Sequence, residues 1–366
     1  MTATPSRAHL TPLVRKYLDD EGAEVESIRV DPIDHASGTP STGGLRRVSG
    51  TTTCGRTWSF FVKSLHSARH WAHLDVIPEP ARAEFVAEFP WRTEADVYTS
   101  GLPLPPGLRL PHLFLVDDLG DERLDLWLED VRTAPGEWDL TRYAAAARAL
   151  GRLAGLRPAD DSRPRTALRT YVGQRLMNHV LPVLRDPALW RHPLVAAHAD
   201  PLLQMDLDTL ARRVPALLAA AGRLPHTMAH GDAGPQNLLV PADDPGRFVA
   251  VDWGWQDPVP IGFDLGQLLV GLAHDGLTEP GELPVIHRAI LAAYERGLAD
   301  EGVPAGDAAA GYVTTLVLRS AFTAIPAERL GEPVTGDLRE LFRKRVGLAR
   351  FIADLGLSLQ IHHEFK

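Results

Sequence analysis

The sequence predicts an α+β chain in two parts, and three observations carry that reading. Strand-like runs with short helices fill residues 1–133, helical spacing of apolar residues dominates 134–366, and the stretch between them, VRTAPGE, has turn chemistry. A chain of 366 residues is long enough for two such parts, and 45% hydrophobic with 23% charged residues is the composition of a globular protein that can bury a core.

Taken in order, Thr11-Pro12 reads as the N-cap and first position of a helix running to about Asp20, with Gly22 as its stop. Strands are expected over Glu24–Val30, Leu45–Thr51 and Trp58–Leu65, the first two separated by the loop DHASGTPSTGG. An insertion, residues 64–89, then carries His66, His70 and His73 and ends in a helix, Ala81–Glu88. Pro90 suits the start of the next helix, Trp91–Ser100, which Gly101 can end. Leu113–Leu119 and Arg123–Val131 read as an antiparallel pair around Gly120-Asp121. From Asp139 the pattern turns helical, beginning with TRYAAAARALGRLAGL and recurring through 166–222, 284–300, 307–324 and 336–359. Only around 228–265 do strand-like pieces return, Asn237–Val240 and Phe248–Asp252, each beside a polar cluster of the kind that carries chemistry.

Composition excludes several classes. A formal charge of −9 offers no basic footprint for nucleic acid or anionic lipid. No window approaches ~18 consecutive apolar residues and the start lacks the layout of a secretion signal, so a cytoplasmic chain with no membrane partner is expected. Cys54 is the single cysteine, which rules out an internal disulfide and suggests a small buried hydrophobe. Lysine occurs only at 16, 63, 344 and 366, against 34 arginines. In that background Lys63, inside the apolar strand WSFFVKSL, marks a place where a compact ammonium is needed rather than a planar fork. His66, His70 and His73 lack the Cys or carboxylate companions that complete a metal site, and read as an exposed insertion.

The chemistry concentrates in His230-Gly231-Asp232-Ala233-Gly234-Pro235-Gln236-Asn237, followed by Val251-Asp252-Trp253-Gly254. If Asn237 opens one strand and Asp252 closes the next, a hairpin brings both beside Asp232. Transfer of a phosphoryl group needs one carboxylate to orient the acceptor hydroxyl and take its proton, and hard oxygen ligands for Mg²⁺ on the phosphates. Asp232 suits the first task, Asn237 and Asp252 the second. His230 reads as a residue that fixes the loop by hydrogen bonding. Trp253 and Trp255 suit either an acceptor-site wall or core packing.

HGDxxxxN followed by a strand-ending Asp resembles the catalytic and metal-binding loops of the aminoglycoside phosphotransferase and choline kinase group, small-molecule relatives of protein kinases. The resemblance implies a bilobal protein-kinase-like fold, with an antiparallel N-terminal lobe (1–133), a larger helical C-terminal lobe (134–366), and ATP or GTP with Mg²⁺ between them. It implies Asp232 as catalytic base, Asn237 and Asp252 as metal ligands, and Lys63 on the α/β-phosphates with Glu94 as its ion-pair partner. In the hinge-like LDLWLEDV it implies backbone groups of Leu128 and Asp130 facing adenine, and it makes Asp264 of GFDLGQLL a structural acceptor of backbone N–H groups from the catalytic loop. GTPSTGG supplies Gly38, Gly43 and Gly44 for cradling phosphates without matching GxGxxG.

The implied reaction is transfer of a γ-phosphoryl group to a hydroxyl of a small molecule: an aminoglycoside or other antibiotic, a sugar, a nucleoside or an amino alcohol. Two rivals stand beside it, a catalytically silent nucleotide-binding scaffold and a protein kinase. Retention of a base disfavours the first, and the lack of an APE-like segment after Asp252 disfavours the second. Residues 134–366 carry 24 basic and 27 acidic side chains, only mildly acidic for a part that would receive a polycation.

Overall fold

The computed structural model describes residues 4–34, 39–160 and 165–359, and the chain forms two compact units. The first is drawn from residues up to 102, 109–134 and 239–254, the second from 103–108, 135–238 and 255 onward. Backbone bonds tie the late segment into the first unit: Ala134 N–H donates to Val240 O (2.7 Å) and Ala242 N–H to Arg132 O (2.8 Å). Gly38 lies outside the described residues.

In the first unit, helix α1 (Arg7–Leu18) precedes strands β1 (Val25–Ile33), β2 (Thr42–Thr52) and β3 (Thr57–His66). Helices α2 (Glu79–Glu88) and α3 (Thr93–Thr99) follow, then β4 (Leu113–Gly120) and β5 (Arg123–Glu129). The sheet is antiparallel throughout, in the order β1-β2-β3-β5-β4. On one face α1 lays Leu10, Leu13 and Val14 against Val25, Val48, Trp58, Phe60, Val62 and Trp127. Phe60 is the hub of this core, with the rings of Phe114, Tyr17 and Trp127 at 5.0, 5.4 and 5.8 Å. Alternation along β3 then turns Lys63 to the face opposite Val62.

Several local expectations are corrected. Helix α1 is capped by Ser6, whose Oγ accepts from His9 N–H (3.2 Å), so Thr11 and Pro12 lie inside it, and it ends at Asp19 (φ 49°) rather than Gly22. Burial of its apolar stripe outweighs the hydrogen bond that Pro12 removes. At the β4–β5 hairpin the corner is Asp121-Glu122, both at φ 54°, which matches the twist of the flanking strands. Cys54 is exposed, because it sits in the turn between β2 and β3 where no second layer covers it.

The second unit is helical. Helix α4 (Leu140–Leu156) starts at Asp139, whose carboxylate accepts from Arg142 N–H (2.8 Å), and it packs against the helix Leu283–Asp300. Glycine sets that approach: a Cβ on Gly151 would lie 2.2 Å from Tyr294 O, and one on Gly297 2.2 Å from Arg148 O. The stretch 166–222, expected to be helical through much of its length, is divided among several helices, because Pro182, Pro187 and Pro193 each open a new short one before the long one, Leu203–Arg223. Two stretches are π-helical, Tyr171–Val180 and Val317–Ala321, the second directly after the helix Ala308–Leu316. The helix Gly336–Ser358 follows. Among the described residues no helix is long and apolar enough to cross a membrane.

Candidate active site

In the first unit Lys63, Glu94 and Asp252 meet. The Lys63 ammonium lies 2.6 Å from Glu94 Oε2 and 2.9 Å from Asp252 Oδ1. Lys63 and Glu94 are 7% and 3% exposed, so the pair is held out of water while Asp252 keeps 45% of its side chain accessible. Burial works against the Lys63 charge, but the two carboxylates outweigh it and hold its pKa above the ordinary value. Tyr98, one turn along α3 from Glu94, donates its hydroxyl to Glu94 Oε1 (3.0 Å) and so fixes the carboxylate in its rotamer. The Glu94–Tyr98 spacing of four is the signal in the sequence that could have pointed to Tyr98.

Asp252 lies two residues beyond the strand Phe248–Ala250 instead of closing it, with φ 62°. A non-glycine residue in the left-handed region costs on the order of 1 kcal/mol, and such strain gathers at functional positions. Trp253 behind it is fully buried and donates Nε1–H to Ala250 O (2.9 Å), so core packing is its role, whereas Trp255 is half exposed.

In the second unit the segment 230–237 forms a tightly specified loop. Asp264, near the start of the helix Phe263–His274, accepts His230 N–H (3.0 Å) and Gly231 N–H (2.9 Å) on its two oxygens. Burial pushes its pKa up to about 6 despite those two bonds. His230 is fully buried, and its Nδ1 accepts Asp232 N–H (3.2 Å). Gly231 has φ 90°, and a Cβ there would fall 2.0 Å from Trp255 O, so no other residue fits. Asn237 does not open a strand; it ends the 3₁₀ turn Pro235–Asn237, and its Nδ2 donates to Asp232 O (2.8 Å) and Asp232 Oδ2 (3.0 Å). The result is a carboxylate held in a fixed direction by its own loop.

The remaining candidates stand elsewhere in the first unit. Gly43 and Gly44 lie within β2, beside a register shift between Thr42 and Gly44, rather than in a free loop. Leu128 lies inside β5, opposite Phe61 on one side and Leu113 on the other. Asp130 directly follows β5, and its carboxylate accepts from Arg47 (2.7 and 3.0 Å) and Ser59 (2.5 Å), tying the end of β5 to β2 and β3. His66 and His70 have ring centres 5.9 Å apart, and among the described residues no group of three or more His, Cys, Asp or Glu could hold a metal.

Each unit offers a donor type that suits a phosphate-bound Mg²⁺: an accessible carboxylate at Asp252 in the first, and in the second the amide of Asn237, whose nitrogen is engaged by Asp232.

The architecture is similar to that of an aminoglycoside phosphotransferase from Alicyclobacillus acidocaldarius subsp. acidocaldarius DSM 446, with a TM-score of 0.50 at 14% identity over 98% of this chain and 98% of that one. Amicoumacin kinase hAmiN in complex with AMP-PNP, Ca²⁺ and Ami matches with a TM-score of 0.48 at 13% identity over 92% and 91% of the two chains. A putative fructosamine-3-kinase from Haemophilus somnus 129PT matches with a TM-score of 0.43 at 10% identity over 95% and 97%. The fold is thus the α+β kinase-like fold of aminoglycoside phosphotransferases. The sequence model of the phosphotransferase enzyme family, APH, matches residues 111–306, more than half of the chain, which therefore belongs to that family. It is a small-molecule phosphotransferase with an alcohol group as acceptor. No curated protein matches it in sequence.

Proposed function

We propose that this enzyme transfers the γ-phosphoryl group of ATP or GTP, with Mg²⁺, to a hydroxyl of a small molecule, with Asp232 as the base. One observation carries the reading: the Asp232 carboxylate is aimed by Asn237 within a loop whose backbone is clamped by Asp264. The acceptor O–H gives its proton to Asp232 as its oxygen bonds to the γ-phosphorus, and the bond from that phosphorus to the bridging oxygen breaks to release the nucleoside diphosphate. Lys63, kept cationic by its two carboxylates and positioned by Glu94, neutralises the α/β-phosphates. Asp252 and the amide oxygen of Asn237 would hold Mg²⁺, which would supply neutralisation of the phosphate charge. Backbone groups of Leu128 and Asp130 are proposed to face adenine, and Gly43 and Gly44 the phosphates.

The test is a panel of acceptors, comprising amino sugars, neutral antibiotics, nucleosides, sugars and amino alcohols, incubated with γ-labelled ATP and Mg²⁺. A labelled small-molecule product dependent on Asp232 is expected. Binding of nucleotide with no product from any class would favour the silent scaffold instead.

A further inference from the structure

The second unit holds a cation that the reaction above does not use. Arg319 lies in the π-helical turn Val317–Ala321, a kind of helix distortion that is enriched at functional sites. Its guanidinium carbon stands 4.9 Å from the centre of the Tyr171 ring and 5.5 Å from that of Phe263. The Tyr171 hydroxyl donates back to Arg319 O (3.0 Å), so the aromatic side wall and the turn brace one another. Phe263 immediately precedes Asp264, which clamps the loop carrying Asp232.

Arg319 is half-buried, and among the described residues no carboxylate forms a salt bridge with it. Burial pulls its pKa down, the field of the Asp232 carboxylate opposes this, and the like charge of Arg175 adds to the cost. A guanidinium over two rings, with no salt bridge to a carboxylate among the described residues and within the field of the base, has hydrogen-bond donors that an anion can engage. A polycationic acceptor would meet two like charges there, Arg319 and the exposed Arg175.

Building on Asp232 as the base, we propose that Arg319 is a specificity-determining residue that receives an anionic group of the acceptor. The acceptor is then an anionic hydroxy compound, bearing a carboxylate or a phosphate, and not a polycation. The experiment compares a neutral sugar, its acid, its phosphate and an aminoglycoside as acceptors for the wild type, Arg319→Lys and Arg319→Gln, with thermal shifts read in parallel. The wild type should prefer an acidic member by about tenfold or more in kcat/KM, and the preferred member tells carboxylate from phosphate. Arg319→Gln should raise KM for that acceptor about tenfold, leave kcat and the nucleotide KM nearly unchanged, and abolish its thermal stabilisation, while Arg319→Lys restores part of the affinity. Equal losses for neutral and acidic acceptors, preference for the aminoglycoside, or neither turnover nor charge-dependent thermal shift would overturn the assignment. If neutral acceptors are phosphorylated and Asp232→Asn stops that, the base stands and only the role of Arg319 falls.

Discussion

At Asp232 one side-chain oxygen receives the Asn237 amide and the backbone N–H is taken by His230, so the residue can be changed without releasing the loop. Asp232→Asn is expected to lower kcat by about 10² to 10⁴ while the nucleotide KM stays near its original value, as measured by steady-state kinetics. Lys63 behaves differently, because its partner Glu94 is buried and braced by Tyr98. Lys63→Met leaves that carboxylate without its cation, and urea unfolding should show a loss of about 3 to 5 kcal/mol together with weakened nucleotide binding. Unaltered stability would mean that Glu94 finds another partner. Lys63, Glu94, Asp232, Asn237 and Asp252 are legible in the sequence as candidates because phosphoryl chemistry demands particular residue types at short, recognisable spacings. Arg319 is not, since its environment comes from Tyr171 and Phe263, both distant in the chain.

At the level of elements, the loop 230–237 depends on one carboxylate at the start of the helix Phe263–His274. Burial places the Asp264 pKa at about 6, above its ordinary value. The sign follows: this group's stabilising contribution is present below the ordinary carboxylate pKa and is lost as pH rises through about 6. Activity runs the other way, because protonation weakens the grip of Asp264 on His230 and Gly231. The kcat/KM profile should therefore fall on the acid side with an apparent pKa near 6, a limb that Asp264→Asn, already slow, no longer shows. The packing of α4 on the helix Leu283–Asp300 makes a second prediction. Gly297→Ala puts a methyl 2.2 Å from Arg148 O, so the helices must separate, at a cost of about 1 to 3 kcal/mol or more in chemical denaturation. Most strands and long helices are readable from periodicity, but the breaks are not: Pro12 sits inside α1, whereas Pro182, Pro187 and Pro193 each restart a helix. The difference is tertiary, since Leu10, Leu13 and Val14 bury α1 against the sheet strongly enough to carry its proline.

For the whole molecule, nucleotide binding is linked to stability. With Mg²⁺ and ATP at a hundred times the dissociation constant the folded chain gains ~2.7 kcal/mol, so its melting temperature should rise by several degrees, and a chelator should remove most of the rise. Asp252→Ala should give little shift under the same conditions; a full shift in that variant would take Asp252 out of metal and phosphate binding. By itself the sequence determined the α+β class, the family, and the residue types available for phosphoryl transfer, because local periodicity and a short motif such as HGDxxxxN are properties of neighbouring residues. Only the tertiary structure decided that residues 239–254 join the first unit, that Asp252 adopts φ 62° beside Lys63, that Tyr98 donates to Glu94, and that Arg319 lies over the rings of Tyr171 and Phe263. Those outcomes depend on which distant surfaces are buried against each other, and burial is a property of the folded chain rather than of any window along it.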